Sequence, residues 1–145
     1  MSNSTYSFTD ATIVLNCPGY GSFTIDKKGA GSVSVGKATT RSVQDVAADG
    51  SIMTSKIAGN NGSCNFSVQQ TSALDDWLVG LFNYLWSADT DEWTKVSCTI
   101  RAPKMRKQHI CKGGSMEKEA DYTYAAQGGQ VTWNILFDDI QNLNI

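Results

Sequence analysis

The sequence has little charge, a single histidine and no long apolar run, and each shortage excludes something. Charged residues make up 18% of the 145, where an ordinary domain carries roughly a quarter. No apolar run approaches the ~20 residues that a membrane-spanning helix needs, so no membrane insertion is expected. The opening Met1-Ser2-Asn3-Ser4-Thr5 lacks the basic and then apolar blocks of a signal peptide, which points to a start in the cytoplasm. Twelve Lys and Arg against 14 Asp and Glu leave a formal net charge of −2. That balance excludes the global basic field of a dedicated nucleic-acid binder. The four cysteines (Cys17, Cys64, Cys98, Cys111) contain no C-x-x-C pair, so a zinc ribbon or a thioredoxin motif is excluded. What stands in place of charge is neutral polarity: Gly, Ser, Thr, Asn and Gln. A surface of that kind is polar but weakly self-repulsive, and it suits self-association.

The dominant rhythm along the chain is period two, the mark of a half-buried strand. Cys64, Phe66 and Val68 alternate with Asn65, Ser67 and Gln69, directly after the tight-turn string Asn60-Asn61-Gly62-Ser63. Val96, Cys98, Ile100 and Ala102 form a second set. Val131, Trp133, Ile135 and Phe137 form the clearest one, introduced by Gln127-Gly128-Gly129-Gln130. Their places in these alternating sets make Cys64 and Cys98 small buried hydrophobes, reduced and structural. Tyr6 and Phe8 and then Ile13-Val14-Leu15 read as a first strand or a bent strand pair ending at the turn Cys17-Pro18-Gly19. Phe23-Thr24-Ile25 and Val33-Ser34-Val35 flank Lys27-Lys28-Gly29-Ala30-Gly31 and read as a hairpin.

One segment breaks the rhythm. Leu74, Trp77, Leu78, Leu81, Phe82 and Leu85 fall at i, i+3, i+4, i+7, i+8 and i+11, which predicts an amphipathic helix over about residues 72–86. Ser72 supplies the N-cap, and Asp75 and Asp76 complement the helix dipole. Between Gly36 and Lys56 lies a long polar stretch, read as a loop, and compact domains rarely keep so long a loop without a job for it. The expected architecture is mostly β: one domain over residues 1–145, a β-sandwich or barrel with one flanking helix.

Candidate chemistry is thin. Gly31-Ser32-Val33-Ser34-Val35-Gly36-Lys37-Ala38 nearly matches a phosphate-binding loop. Ala38, however, has no hydroxyl for Mg²⁺, Val33 and Val35 alternate like a strand, and no amphipathic helix follows. His109 stands among Lys107, Gln108 and Lys112 as part of an exposed basic loop, with no defined nucleophile or orienting group. No catalytic residue, metal or cofactor is expected. Arg101, Lys104, Arg106, Lys107 and Lys112 form a basic block without the interleaved aromatics of a base-stacking surface. Acidic counterparts lie at Asp75-Asp76, at Glu117, Glu119 and Asp121, and at Asp138-Asp139. Segregated patches of this kind let copies pair head to tail. Trp77, Trp86, Trp93 and Trp133 read mostly as core, with Trp93, beside Asp91-Glu92, the candidate interface anchor.

Several strings occur together in a familiar order. Tyr6-Ser7-Phe8-Thr9-Asp10 opens the chain, and Asp49-Gly50-Ser51-Ile52-Met53-Thr54-Ser55 leads through Ile57-Ala58-Gly59-Asn60-Asn61-Gly62 into an alternating strand. Thr71-Ser72 then caps the Leu/Trp-rich helix, and Ala125-Ala126-Gln127-Gly128-Gly129-Gln130-Val131-Thr132-Trp133 precedes the last predicted strand. In this order, over nearly the whole chain, the sequence resembles the small tail tube proteins of contractile-tailed bacteriophages. The resemblance implies a structural virion protein of the viral tail, without enzymatic activity or cofactor. Homohexameric rings would stack into the inner tail tube that conducts viral DNA into the host during ejection. The partners it implies are further copies of the chain, the tail sheath protein, and the baseplate and tail terminator proteins, with DNA passing through the lumen without tight binding. A subunit of a phage-derived bacteriocin or of a type VI-like secretion needle is the alternative.

Within that resemblance, the stretch from Gly36 to Lys56 is the candidate ring–ring docking loop, with Arg41, Gln44, Asp45, Asp49, Ser51 and Met53 as its residues. Ser32, Ser34, Ser67, Gln69, Thr132 and Asn134 are the candidate lumen-facing residues.

Overall fold

The strict alternation of the chain becomes two β-sheets that share a strand. In the computed structural model we describe residues 5–7, 10–25 and 30–145; Phe8 and the predicted turn at Lys27-Lys28-Gly29 lie outside them. The first sheet comprises β1 (Thr12–Cys17), β2 (Gly21–Ile25), β7 (Val96–Ala102), β8 (Lys107–Met116) and β10 (Asp139–Asn144). The second comprises β3 (Ala30–Lys37), β6 (Gly62–Gln69), β9 (Gln130–Phe137) and the end of β8. Between them in sequence stand a separate pair, β4 (Ser42–Val46) and β5 (Ile52–Lys56), and one helix, α1 (Ala73–Ser87). All strand pairs are antiparallel.

Strand β8 joins the layers. It pairs with β10 from Lys107 to Lys112 and with β9 at Ser115 and Met116, in the same register throughout. The corner is made at Gly113, whose φ of +67° favours glycine, and at Gly114, where the pairing with β7 slips by a residue. A Cβ on Gly113 would stand 2.7 Å from Asp138 Oδ2. The opposite chain turns at the same level, where the Asp138 N–H donates to the carbonyls of Lys112 and Gly113.

The core lies between the sheets and under the helix. Ile13, Leu15, Cys98, Ile100 and Cys111 from one sheet and Cys64, Phe66, Val131, Trp133 and Ile135 from the other belong to one buried cluster. The helix adds Leu74, Leu78, Leu81 and Leu85, all of them buried, each stabilising by about 1.5–3 kcal/mol relative to exposure. Its predicted cap is present, with the Asp75 N–H donating to Ser72 Oγ at 3.2 Å. Gly80 at mid-helix is explained by the turn after β1. The Tyr20 hydroxyl occupies the place a Cβ would take there and donates to the Trp77 carbonyl at 3.1 Å.

Three local expectations are corrected. The hairpin of Phe23-Thr24-Ile25 with Val33-Ser34-Val35 does not form, because β2 pairs with β1 and β3 pairs with β6. Burying Phe66 and Val68 against the other sheet wins over the nearest turn. His109 is not in an exposed loop but half-buried on β8, with Nδ1 2.7 Å from Asn142 Oδ1. Trp86 is not core; it is 74% exposed at the helix end.

Candidate functional site

The polar stretch from Gly36 to Lys56 folds, and that is the principal addition to the sequence reading. Past the end of β3 the chain leaves the sheet as a hairpin of β4 and β5, with Ser42 opposite Lys56 and Val46 opposite Ile52. Its tip is built by Asp49-Gly50. The Gly50 N–H donates to the Ala47 carbonyl and Gly50 takes a φ of +88°, the geometry of a three-residue hairpin loop. Asp49 Oδ1 accepts from the Ser51 N–H at 3.0 Å and from the Ser51 hydroxyl, which holds its carboxyl below the usual range. At the base, Arg41 donates to the Ile57 carbonyl at 3.1 Å and to Asn60 Oδ1, while Thr39 donates to Asn61 Oδ1 at 2.8 Å.

All six candidate docking residues therefore lie on this arm or at its base, in two roles. Arg41, Asp49 and Ser51 shape it. Gln44 stands on one face, and Asp45, opposite Met53, on the other. Missing from the sequence reading are Val43, Val46 and Ile52, which with Met53 are between 51% and 65% exposed. The available signal was Asp49-Gly50 flanked by Val43-Gln44-Asp45-Val46 and Ile52-Met53, a hairpin string in a stretch read as loop.

The six candidate lumen residues come together on one outward face. Across β3, β6 and β9, Ser32 stands opposite Ser67, which stands opposite Thr132; Ser34 and Asn134 flank Asn65 in the same way. Gln69 continues the row beside Gln130, whose Oε1 accepts from Ser67 Oγ at 2.9 Å. Among the described residues no cationic side chain belongs to these rows; Glu117, hydrogen-bonded to Asn134, and Lys118 lie at their border. The inward face of the same strands carries Phe66, Val68, Val131 and Trp133, so one alternation yields a dry side and a neutral polar side.

The remaining candidates stay apart. His109 borders a groove lined by Ile13, Val33, Val35 and Ile100, an aliphatic setting with Asn142 as its hydrogen-bond partner. The near-phosphate loop is strand β3 and opens onto no helix. Among the described residues no cluster of His, Cys, Asp or Glu side chains gathers as a metal would require, and no helix is long and apolar enough to cross a membrane. The cysteines are buried thiols, with Cys64 Sγ 3.8 Å from Cys111 Sγ across the two sheets.

Solved structures share this architecture along the full chain. A chain of the 6-fold symmetrised anti-feeding prophage baseplate superimposes with a TM-score of 0.68 at 12% identity, covering 99% of this chain and 98% of that one. A chain of the sheath/tube terminator of the PVC extracellular contractile injection system, in its extended state, gives 0.59 at 7% identity, with 99% of each chain covered. One from the PVC sheath–tube complex gives 0.56 at 8%, covering 97% of this chain and 93% of that one. At such identities the likeness is one of fold. No curated protein sequence matches the chain. Residues 3–144 match the family described as bacteriophage PhiTE tail tube protein, and the chain belongs to that family.

Proposed function

We propose that six copies of the chain form a ring, that rings stack head to tail into the inner tube of a contractile tail, and that this tube conducts viral DNA during ejection. The observation that carries the reading is the β4–β5 arm, with four apolar side chains exposed on a hairpin that, among the described residues, pairs with no other strand. A two-stranded hairpin is marginally stable alone in water. Val43 and Met53 lie on one face of the arm and Val46 and Ile52 on the other, and apolar side chains left exposed on both faces mark it as an element for partners to cover. A contact that propagates a filament is heterologous, so the arm of one subunit meets a different surface of the next. The Ser, Thr, Asn and Gln face supports a lumen role, because strong phosphate contacts hold nucleic acid in a salt-dependent way and neutral side chains do not. The sheath, baseplate and tail terminator are the outer partners. The chain acts as a tail component assembled in the host cytoplasm, by assembly and without catalysis.

Replacing residues 42–56 by a short Gly-Ser linker tests the arm. The variant keeps its circular dichroism spectrum and melting temperature, and sediments as subunits or single rings under conditions where the unaltered chain forms tubes. Tubes of normal length from the variant refute the assignment. Assembled tubes are expected to hold short duplex DNA only weakly, and tight, salt-sensitive binding contradicts the lumen face. A second reading, a tube subunit of a phage-derived bacteriocin or type VI-like needle, is favoured by the likeness to anti-feeding prophage and PVC chains. Finding the protein in purified DNA-filled virions decides for the first.

A further inference from the structure

Strand β7 carries opposite surfaces at its two ends. Just before it, Phe82, Trp86 and Trp93 pack with ring centroids 6.2–6.3 Å apart. Leu85, Trp86, Ala88, Thr90 and Trp93 line an open cleft of about 210 Å³ there. Asp89 and Asp91 stand exposed beside it and Glu92 is half-buried, with Lys95 the one nearby cation in sequence. At the far end of the seven-residue strand, which at ~3.3 Å per residue spans about 20 Å, the β7–β8 turn presents Met105, 51% exposed, beside Arg106, Lys107 and Lys104, the last of these 3.5 Å from Asp10 Oδ1. This turn is held in shape. Arg106 takes a φ of +57°, costly for a side chain of that size, and its carbonyl accepts from the Ile145 N–H at 3.0 Å. Lys107 Nζ donates to Asn144 Oδ1 at 2.5 Å.

We infer that the basic turn of one copy docks on the acidic aromatic cleft of the next. The chemistry matches part by part. Thioether sulfur packs well on aromatic rings, a guanidinium stacks on tryptophan, and the flanking cations meet Asp89 and Asp91. Because the two surfaces differ and lie at opposite ends of one strand, the contact is heterologous, the kind from which both closed rings and propagating stacks are built. The inference rests on the reading of the chain as a self-assembling tube subunit, and adds to the arm a second, electrostatic contact between copies.

Charge exchange tests it. Asp89→Lys with Asp91→Lys, and separately Arg106→Glu with Lys107→Glu, each raise the concentration of unassembled protein left after sedimentation by about tenfold or more, with the fold intact by circular dichroism and only the Lys107 variant melting lower for its lost bond to Asn144. All four changes in one chain restore assembly. Assembly of both double variants at the level of the unaltered chain overturns the inference and leaves the tube reading standing. Failure of the fourfold variant to recover, with its fold intact, also overturns it. So do tubes that form normally but lose co-sedimentation with sheath protein, which would make the sheath the occupant of the cleft. An unaltered chain that never assembles overturns the inference and the tube reading together.

Discussion

Asp75 ties three parts of the fold together, and its removal is the sharpest test of how the helix is seated. The carboxylate is 3% exposed, in the first turn of α1. The Tyr122 hydroxyl, 2.9 Å from both of its oxygens, donates its one proton between them, and Oδ1 also accepts from Trp133 Nε1 at 2.9 Å. One side chain thus binds the helix to β9 and to the irregular segment that follows β8. Asp75→Ala leaves the buried Trp133 N–H without an acceptor, at about 1–3 kcal/mol, and removes charge-assisted bonds worth about 1.5–3 kcal/mol each. The lost complement to the helix dipole adds about 0.3–1 kcal/mol. Because these terms are not additive, the expected total is about 3–5 kcal/mol, a large share of the stability of an ordinary domain. Asp75→Asn keeps an acceptor and should lose about half as much. Urea titrations followed by tryptophan fluorescence give both values, with Trp133 itself as a reporter. A loss below about 1 kcal/mol for Asp75→Ala would refute the reasoning, since it would mean that the buried N–H finds another acceptor at no cost.

Other consequences are independent of that site. Gly62 is buried where a Cβ would strike the Gly36 carbonyl and stand 2.7 Å from Ile140 Cδ1, so Gly62→Ala should destabilise by about 1–3 kcal/mol in thermal melts. Burial first, and then the bond to Asp75, push the Tyr122 hydroxyl above its ordinary value of 10. Above pH 10 the unfolded chain loses this proton while the folded chain keeps it. The contribution is therefore whole below the unfolded value and lost as pH rises past it, and Tyr122→Phe should flatten that part of an alkaline stability profile. Hydrogen bonding towards Cys111 and burial push Cys64 and Cys98 up, and burial pushes Cys17 up. The same contacts with Cys64 and Cys98 hold Cys111 below its ordinary value, but all four thiols are buried, so for want of access a thiol reagent at neutral pH should modify the native protein slowly and all four cysteines promptly in denaturant.

What was legible in the sequence follows from which faces differ. Strands β6, β7 and β9 have one side in the core and one outside, so Cys64/Phe66/Val68, Val96/Cys98/Ile100 and Val131/Trp133/Ile135 write their alternation plainly. The helix is legible for the same reason at period 3.6, and its Ser72 cap marks its start. Strands β4 and β5 are exposed on both faces, so burial leaves no alternation to find. Strand β8 hides behind its Gly113-Gly114 corner, and β10 has only Ile140 fully inside. The partners of Asp75 lie 47 and 58 residues away, beyond any local pattern, and in sequence it looks like an ordinary first-turn acid. The candidate lumen residues could be grouped in advance because they are the polar halves of legible strands. The arm's apolar residues could not, because nothing within one subunit explains them.

The central claim, that this chain works as a tube, is tested most directly by electron microscopy of the purified protein at rising concentration. The account predicts rings with sixfold symmetry that stack into hollow tubes, with the β4–β5 arm at the contact between successive rings. A strictly monomeric species at the highest attainable concentration, with its fold intact, would contradict it.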